Sequence, residues 1–225
     1  MIAIKGVTKS FAMHGKSLPI LSVSDWQVEQ GERIALTGPS GSGKSTLLHL
    51  LSGVMTPDQG EIWVHGLPIH QLSESKRDRY RAEHVGYIFQ DFHLISSLTA
   101  RQNVELIVPH NWTKKQAKVQ VDDWFERVGL QDRQHHRPAE LSRGQQQRAA
   151  IIRAIIAKPQ LILADEPTGS LDWETAGDIM SLLLEICEAE KLTLLTVTHD
   201  LHLADMYPKR VHIQEINELP RREAG

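Results

Sequence analysis

Residues 38–45 read GPSGSGKS, a G-x-x-x-x-G-K-S pattern. Glycines at these intervals let the backbone wrap until successive N–H groups face one point. The N-terminus of a following helix adds positive potential, and together they cradle phosphate oxygens. Gly38, Pro39, Ser40, Gly41, Ser42 and Gly43 would form the cradle. Lys44 would bridge the β- and γ-phosphates, Ser45 would ligate Mg2+ and Thr46 would reach the α-phosphate. The plain alternative is a glycine-rich turn that caps a helix. A β-favouring run before it (ERIALTG, 32–38) and a helical apolar pattern after it (KSTLLHLLSG, 44–53) supply the context that the phosphate motif requires.

A second constellation ends the apolar run LILAD (161–165), where Asp165 is followed at once by Glu166. An apolar strand places such acids at the carboxyl edge of a sheet, where open α/β folds bind ligands. Asp165 could hold Mg2+ through water, and Glu166 could orient or deprotonate an attacking water. Taken alone, the pair reads equally well as a helix-capping acid and a surface acid; the phosphate loop upstream favours the chemical reading. Gln90 follows the strand-like VGYIF (85–89), and His199 follows LTLLTVT (192–198). A glutamine at that edge can touch Mg2+ and water, and a histidine can donate to a γ-phosphate. Each, in isolation, also reads as a satisfied loop residue.

LSRGQQQR (141–148) holds no nucleophile and no general base. Ser142 and Gln145 make S-x-x-Q, a capping box for the apolar helix that follows. A helix start is also an anion site. Arg143 sits in its first turn, where a cation is unfavourable by ~0.3–1 kcal/mol unless an anion lies near.

These residues need strands and helices to hold them. MIAIKGV alternates like a strand, and TPDQGEIWVHG reads as turn, strand, turn. Thr113 and Gln116 make a second capping box, T-x-x-Q, ahead of a helical face of Ala117, Val121, Trp124, Phe125 and Val128 that stops at Gly129. AAIIRAIIAKP (149–159) is a helix ended by Pro159. LILAD and LTLLTVTH are near-continuous apolar runs, as in strands buried on both faces of a parallel sheet. The pattern predicts an α/β core interrupted by a mostly helical segment at about 91–140.

Composition narrows the rest. The 225 residues are 40% hydrophobic, enough for a sizeable core in one domain. Lys and Arg (25) nearly balance Asp and Glu (28), for a net charge of −3, so nucleic acid is not an expected partner. Cys187 is the only cysteine, so no internal disulfide forms; it lies among Ile179, Leu182, Leu183 and Ile186, a helix-spaced set that predicts a buried thiol. The 12 histidines show no zinc-site spacing. The N-terminus lacks a signal-peptide stretch and no apolar run approaches the ~20 residues of a membrane span, so any spanning part must come from another chain.

GPSGSGKST (38–46), Gln90, LSRGQ (141–145), LILADEP (161–167), SLD (170–172) and His199, in that order, resemble the nucleotide-binding domain of ATP-binding cassette (ABC) transporters over nearly the whole chain. LSRGQ ahead of the acidic pair separates this family from kinases and GTPases. The resemblance implies a P-loop NTPase (RecA-like) α/β core with an N-terminal antiparallel β subdomain and an inserted α-helical subdomain. Residues 1–225 would form one domain, with 1–90 and 146–225 as the nucleotide-binding core and 91–145 as the helical subdomain.

The same resemblance implies roles. Phe11 stacks on adenine; Lys44, Gln90, Glu166 and His199 act in hydrolysis; Ser45, Gln90 and Asp165 hold Mg2+. Ser142, Gly144 and Gln145 reach the γ-phosphate of ATP held by a second copy, and Asp172 contacts that copy. Arg143 stands where the family usually has glycine, and it is expected to point away from phosphate, toward solvent or the second copy. Phe92, Leu94 and Ile95 read as a docking groove for a membrane subunit or, equally, as subdomain core.

GYIFQDFHLISSLTARQNVEL and ADEPTGSLD look most like bacterial ATPases of lipoprotein release, macrolide export and antimicrobial-peptide resistance. That subfamily implies an ATP-sandwich homodimer on the cytoplasmic face of the membrane. It also implies a separate integral membrane permease of MacB/FtsX type, driven to export or extracytoplasmic mechanical work. The alternative is a cassette ATPase that regulates or signals, as in cell division. A soluble cassette usually carries two cassettes or a long coiled coil, and a small-molecule phosphotransferase has no use for LSRGQ.

Overall fold

Ile2, Ile4 and Val7 are buried while Lys5 is exposed, and this alternation writes the first strand. The computed structural model describes residues 2–13 and 15–219. In chain order the strands are β1 (Ile2–Met13), β2 (Lys16–Val28), β3 (Arg33–Thr37), β4 (Gln59–Val64), β5 (Leu67–Pro68), β6 (Val85–Ile88), β7 (Leu161–Asp165), β8 (Thr193–Val197) and β9 (Lys209–His212). The helices are α1 (Lys44–Leu51), α2 (Glu74–His84), α3 (Ala100–Glu105), α4 (Lys114–Arg127), α5 (Arg143–Ile155), α6 (Trp173–Ala189) and α7 (Leu201–Ala204). Antiparallel and parallel strands combined with helices bear out the α/β class and the antiparallel β subdomain at the N-terminus.

The chain divides into two units, residues 1–81 with 193–225 and residues 82–192. In the first, β1 lies between β2 and β4, antiparallel to both. Ile2 faces Val28 on one side and Val64 on the other, and Ile4 faces Trp26 and Ile62, so one face of the sheet is apolar. β3 lies between β8 and β9, parallel to both. Ile34, Ala35 and Leu36 are fully buried, as are Leu194 and Leu195, which fits a parallel sheet covered on both faces. α1 buries four leucines, and the Tyr80 hydroxyl of α2 donates to the Leu51 carbonyl at 2.8 Å.

In the second unit, β6 and β7 run parallel, Val85 beside Leu161 through Ile88 beside Ala164. α5 buries Ala149, Ala150, Ile151, Ile152 and Ile155. Cys187 is buried on α6 with Ile179, Leu183 and Ile186, while Leu182 is half-buried. The capping box expected at Thr113 is formed: its hydroxyl accepts from Gln116 N at 3.2 Å and Gln116 Oε1 accepts from Thr113 N at 2.8 Å. At the other end Leu130 N donates to Phe125 O and Gly129 N to Glu126 O, closing α4 where the glycine stop was expected.

The segment at 91–140 is less helical than its composition suggests, since 91–98 is turn and loop. Asn103, fully buried on α3, explains this. Its Oδ1 accepts from Ile95 N at 2.7 Å and its Nδ2 donates to Ile95, Leu98 and Thr99 carbonyls at 3.2, 3.3 and 2.9 Å. Those bonds hold the stretch away from helix. Among the described residues no helix is long and apolar enough to cross a membrane.

The α4 cap gives a direct test. Thr113→Ala removes the hydroxyl that accepts from Gln116 N, leaves the backbone half of the box, and should cost about 1 kcal/mol, read by calorimetry as a fall of roughly 2–4 °C in Tm. An unchanged Tm would mean that other contacts set the start of α4.

Candidate active site

Ile34, Ala35 and Leu36 of β3 are fully buried, and the chain leaves the strand through Thr37 and Gly38 into the glycine-rich loop. The loop closes on α1, whose N-cap is Gly43 at φ 97°, a left-handed conformation that favours glycine. No side-chain hydrogen bond caps α1 and no acid lies in its first turn, an arrangement that suits an anion. Lys44 is buried, and its Nζ donates to the Gly38 and Pro39 carbonyls at 2.8 and 2.9 Å, holding the ammonium inside the loop. Ser42 Oγ donates to Pro39 O at 2.7 Å. These features fit a polyphosphate.

His199 belongs to the same edge. Leu36 pairs with Val197 in parallel register, and Thr198 N donates to Leu36 O at 3.2 Å. The glycine loop and His199 therefore leave neighbouring strands side by side, with His199 exposed. Phe11 lies on β1 opposite Leu18 of β2, 38% exposed, with Lys9 Nζ 6.0 Å from its ring centroid.

The second unit repeats the arrangement. β6 and β7 end together, one through Phe89 and Gln90, the other through Asp165 and Glu166. Glu166 has φ 48°, left-handed for a residue with a side chain, and its carbonyl accepts from Gly169 N at 3.0 Å. Gln90 lies over this turn: a Cβ on Gly169 would come within 3.2 Å of Gln90 Nε2. Ser170 Oγ donates to the Gln90 carbonyl at 3.4 Å. Burial pushes the Tyr87 phenol above its ordinary range, and the nearby Asp165 carboxylate pushes the same way.

LSRGQ starts α5. Ser142 Oγ accepts from Gln145 N at 3.3 Å and Gln145 Oε1 accepts from Ser142 N at 3.0 Å, the capping box expected from S-x-x-Q. Asp172 caps α6 in turn: its Oδ1 accepts from Thr175 N at 3.0 Å, and that N–H holds the carboxylate below its ordinary range. The two helix starts touch, because a Cβ on Gly144 would sit 2.7 Å from Thr175 Cγ2. Glycine at 144 is what lets them meet. The structure thus gathers Ser142, Gly144, Gln145 and Asp172 in one place.

Sequence reasoning missed two residues in this unit. Gln147 is fully buried and its Nε2 donates to the Pro167 carbonyl at 2.5 Å, tying α5 to the turn behind Glu166. Arg153 donates through Nη1 and Nη2 to the His93 and Phe92 carbonyls at 2.5 and 2.7 Å. It pins two successive left-handed residues, Phe92 and His93. A glutamine inside a Gln run and an arginine inside AAIIRAIIA were the only signals, and neither names a partner. Of the groove candidates, Phe92 is buried, Leu94 half-buried and Ile95 exposed. Phe92 and Leu94, with Asp91, His93, Pro138, Arg143 and Gln146, line a groove of about 400 Å³. Arg143 is exposed, as expected, but its guanidinium carbon lies 5.8 Å over the Phe92 ring centroid of its own chain.

The sequence profile of the family described as "ABC transporter" matches residues 21–169. The chain belongs to the ABC transporter family. It is an ATPase of that family. It is 44% identical over 207 residues to the lipoprotein-releasing system ATP-binding protein LolD of Psychrobacter arcticus, covering 91% of this chain and 92% of that protein. The Pseudomonas fluorescens LolD is 40% identical over 216 residues, covering 96% and 95%. The Bacillus subtilis ABC transporter ATP-binding protein YtrE is 40% identical over 211 residues, covering 92% and 91%. In three dimensions the chain is similar to the cassette MJ0796, solved as a dimer in a post-hydrolysis state bound to ADP and Pi: TM-score 0.85, 32% identity, 97% of this chain and 95% of that one.

The Arg143 contact makes its own prediction. A cation–π contact at an exposed site stabilises by only ~0.5–1 kcal/mol. Arg143→Gly should therefore leave ATPase activity within about twofold while lowering Tm slightly, since glycine also weakens the first turn of α5. A marked loss of activity with an unchanged Tm would give Arg143 a part in binding ATP.

Proposed function

We propose that this cassette energises a bacterial membrane complex of the lipoprotein-releasing kind, as a homodimer docked on a separate integral membrane permease at the cytoplasmic face. The observation that carries the dimer is the meeting of two helix starts, at Ser142 and Asp172, through Gly144 and Thr175. Ser142 and Asp172 are exposed there, Gly144 and Gln145 half-buried, and an N-terminal pair of helices suits a phosphate held by another molecule. The dimeric form of MJ0796 and the names of the LolD relatives support the assembly and the transport role.

In this reading residues 38–46 take the phosphates of ATP and Phe11 takes the adenine. Lys44 offsets charge on the β- and γ-phosphates. Glu166 orients and deprotonates a water, which forms its bond to the γ-phosphorus as the β–γ bridging bond breaks, giving ADP and phosphate. His199 donates to a γ-phosphate oxygen. Ser142 and Gly144 of one copy, with Gln145 shaping their turn, close on the ATP of the other, and Asp172 makes the contact between copies. When bound, Mg2+ supplies neutralising charge at the phosphates; Ser45, Gln90 and Asp165 would hold it. A hydroxyl, an amide oxygen and a carboxylate form a hard oxygen set, as Mg2+ prefers. Residues 91–145 serve as the helical subdomain, with the groove under Phe92 and Leu94 facing the permease. Gln90 transmits the state of the site to it.

Two measurements test this. Glu166→Gln keeps the ATP contacts and removes the base, so with MgATP the variant should elute from gel filtration at about twice the 25.4 kDa protomer mass. A persistent monomer would refute the sandwich. A pull-down from bacterial membranes should recover an integral membrane protein, and repeated recovery of ribosomes or DNA alone would refute the transport role.

A further inference from the structure

After β9 the chain makes a one-turn 3-10 helix, Ile213–Glu215, and arrives at Asn217, which is 8% exposed. Its Oδ1 accepts from Ser22 N at 2.9 Å and from Leu219 N at 3.4 Å. Its Nδ2 donates to the Ile20 carbonyl at 3.0 Å and to the Ser42 carbonyl at 3.2 Å. The partners fix which way the amide points: two are N–H groups that only donate, and two are carbonyls that only accept. Every hydrogen-bonding position of the side chain is used. One of its four partners is the glycine-rich loop, the other three being β2 and the chain that follows Asn217.

The Ser42 contact has a consequence for the loop. A trans peptide unit is planar, with its C=O and N–H pointing in opposite directions. Asn217 holds the Ser42 oxygen on the outside of the loop, so the Gly43 N–H is turned to the other side, inward. The fit is close on the outer side: a Cβ on Gly43 would stand 3.0 Å from Ile20 O and 3.5 Å from Asn217 Nδ2. The same 3-10 turn also meets the start of the loop, where a Cβ on Gly38 would lie 2.5 Å from Ile213 Cγ2.

We infer that Asn217 is a positioning residue for ATP, setting the Ser42–Gly43 peptide so that its N–H faces phosphate. This rests on the reading of residues 38–46 as the triphosphate cradle. Asn217→Asp keeps the acceptor toward Ser22 and replaces the donor with a carboxylate oxygen facing two carbonyls. Asn217→Gly removes both and leaves room for water. Titration with a fluorescent ATP analogue and steady-state ATPase kinetics read the result. At about pH 8 both variants should bind ATP about tenfold more weakly, the worth of one well-placed hydrogen bond. KM should rise with kcat held within about threefold, the sign of lost binding that ground and transition states share.

Lowering the pH separates positioning from mere anchoring. Burial and two facing carbonyls raise the pKa of the introduced carboxyl, and its protonated form regains a donor. The affinity of Asn217→Asp relative to the parent should thus recover toward pH 6, while that of Asn217→Gly should not. A fall in Tm with KM unchanged in both variants, or a loss in Asn217→Asp that ignores pH, would overturn the inference. Lys44→Ala separates the two levels. If it binds ATP like the parent, the cradle reading itself fails; if it loses ATP while both Asn217 variants keep it, only the role of Asn217 fails.

Discussion

A strand buried on both faces can carry a polar group only where that group is paired, as Thr193 and Thr196 are on β8, or where the strand ends. β3, β7 and β8 have almost no exposed surface along their length, and β6 alternates between buried and half-buried. Burying an unpaired polar group costs more than any one contact here returns. Every candidate residue of the core obeys that constraint. The glycine loop leaves β3, Gln90 follows β6, Asp165 and Glu166 close β7, and His199 follows β8. Parallel pairing adds the second half of the constraint within each unit, because β3 and β8 in the first, and β6 and β7 in the second, run the same way and deliver their polar ends to one edge.

Helix starts obey a different rule, and LSRGQ shows it. The first N–H groups of a helix need partners, and a capping side chain answers only some of them. Ser142 and Gln145 satisfy each other, and Asp172 does the same office for α6. The side chain absent from Gly144 lets the two helix starts come close, against Thr175, so that both present their remaining N–H groups in one place. The Arg143 guanidinium in the same turn lies 5.8 Å over the Phe92 ring centroid.

Much of this was legible from the residues. The glycine loop and the buried strands carry strong local signals, the acidic pair gains its meaning from the loop upstream, and the caps at Thr113 and Ser142 formed as their spacing requires. Elements whose stability comes from elsewhere were not legible. β2 is interrupted by Pro19 and by exposed Asp25, so its alternation is hidden until β1 pairs with it. α2, ESKRDRYRAEH, buries only Tyr80 and has no apolar stripe. β9 buries only Val211. Asn103, Gln147 and Asn217 were silent for one shared reason. Each is an ordinary amide in the sequence, and what makes it structural is a set of backbone partners, some of them far along the chain.

Glu166 draws these threads together. A left-handed φ at a residue with a side chain costs about 1–2 kcal/mol, and such a residue persists only where its surroundings hold it. Gly169 N holds the Glu166 carbonyl, Leu171 N holds Thr168 O, and Gln147 holds Pro167 O from the signature helix. The last bond matters most for mechanism. It makes the backbone next to the candidate base continuous with α5, whose first residues are the candidate contacts to a second copy's ATP. A shift of α5 would therefore reach the backbone beside Glu166 through one buried amide. Within this unit, Glu166 sits on backbone that a residue of α5 helps to hold in place.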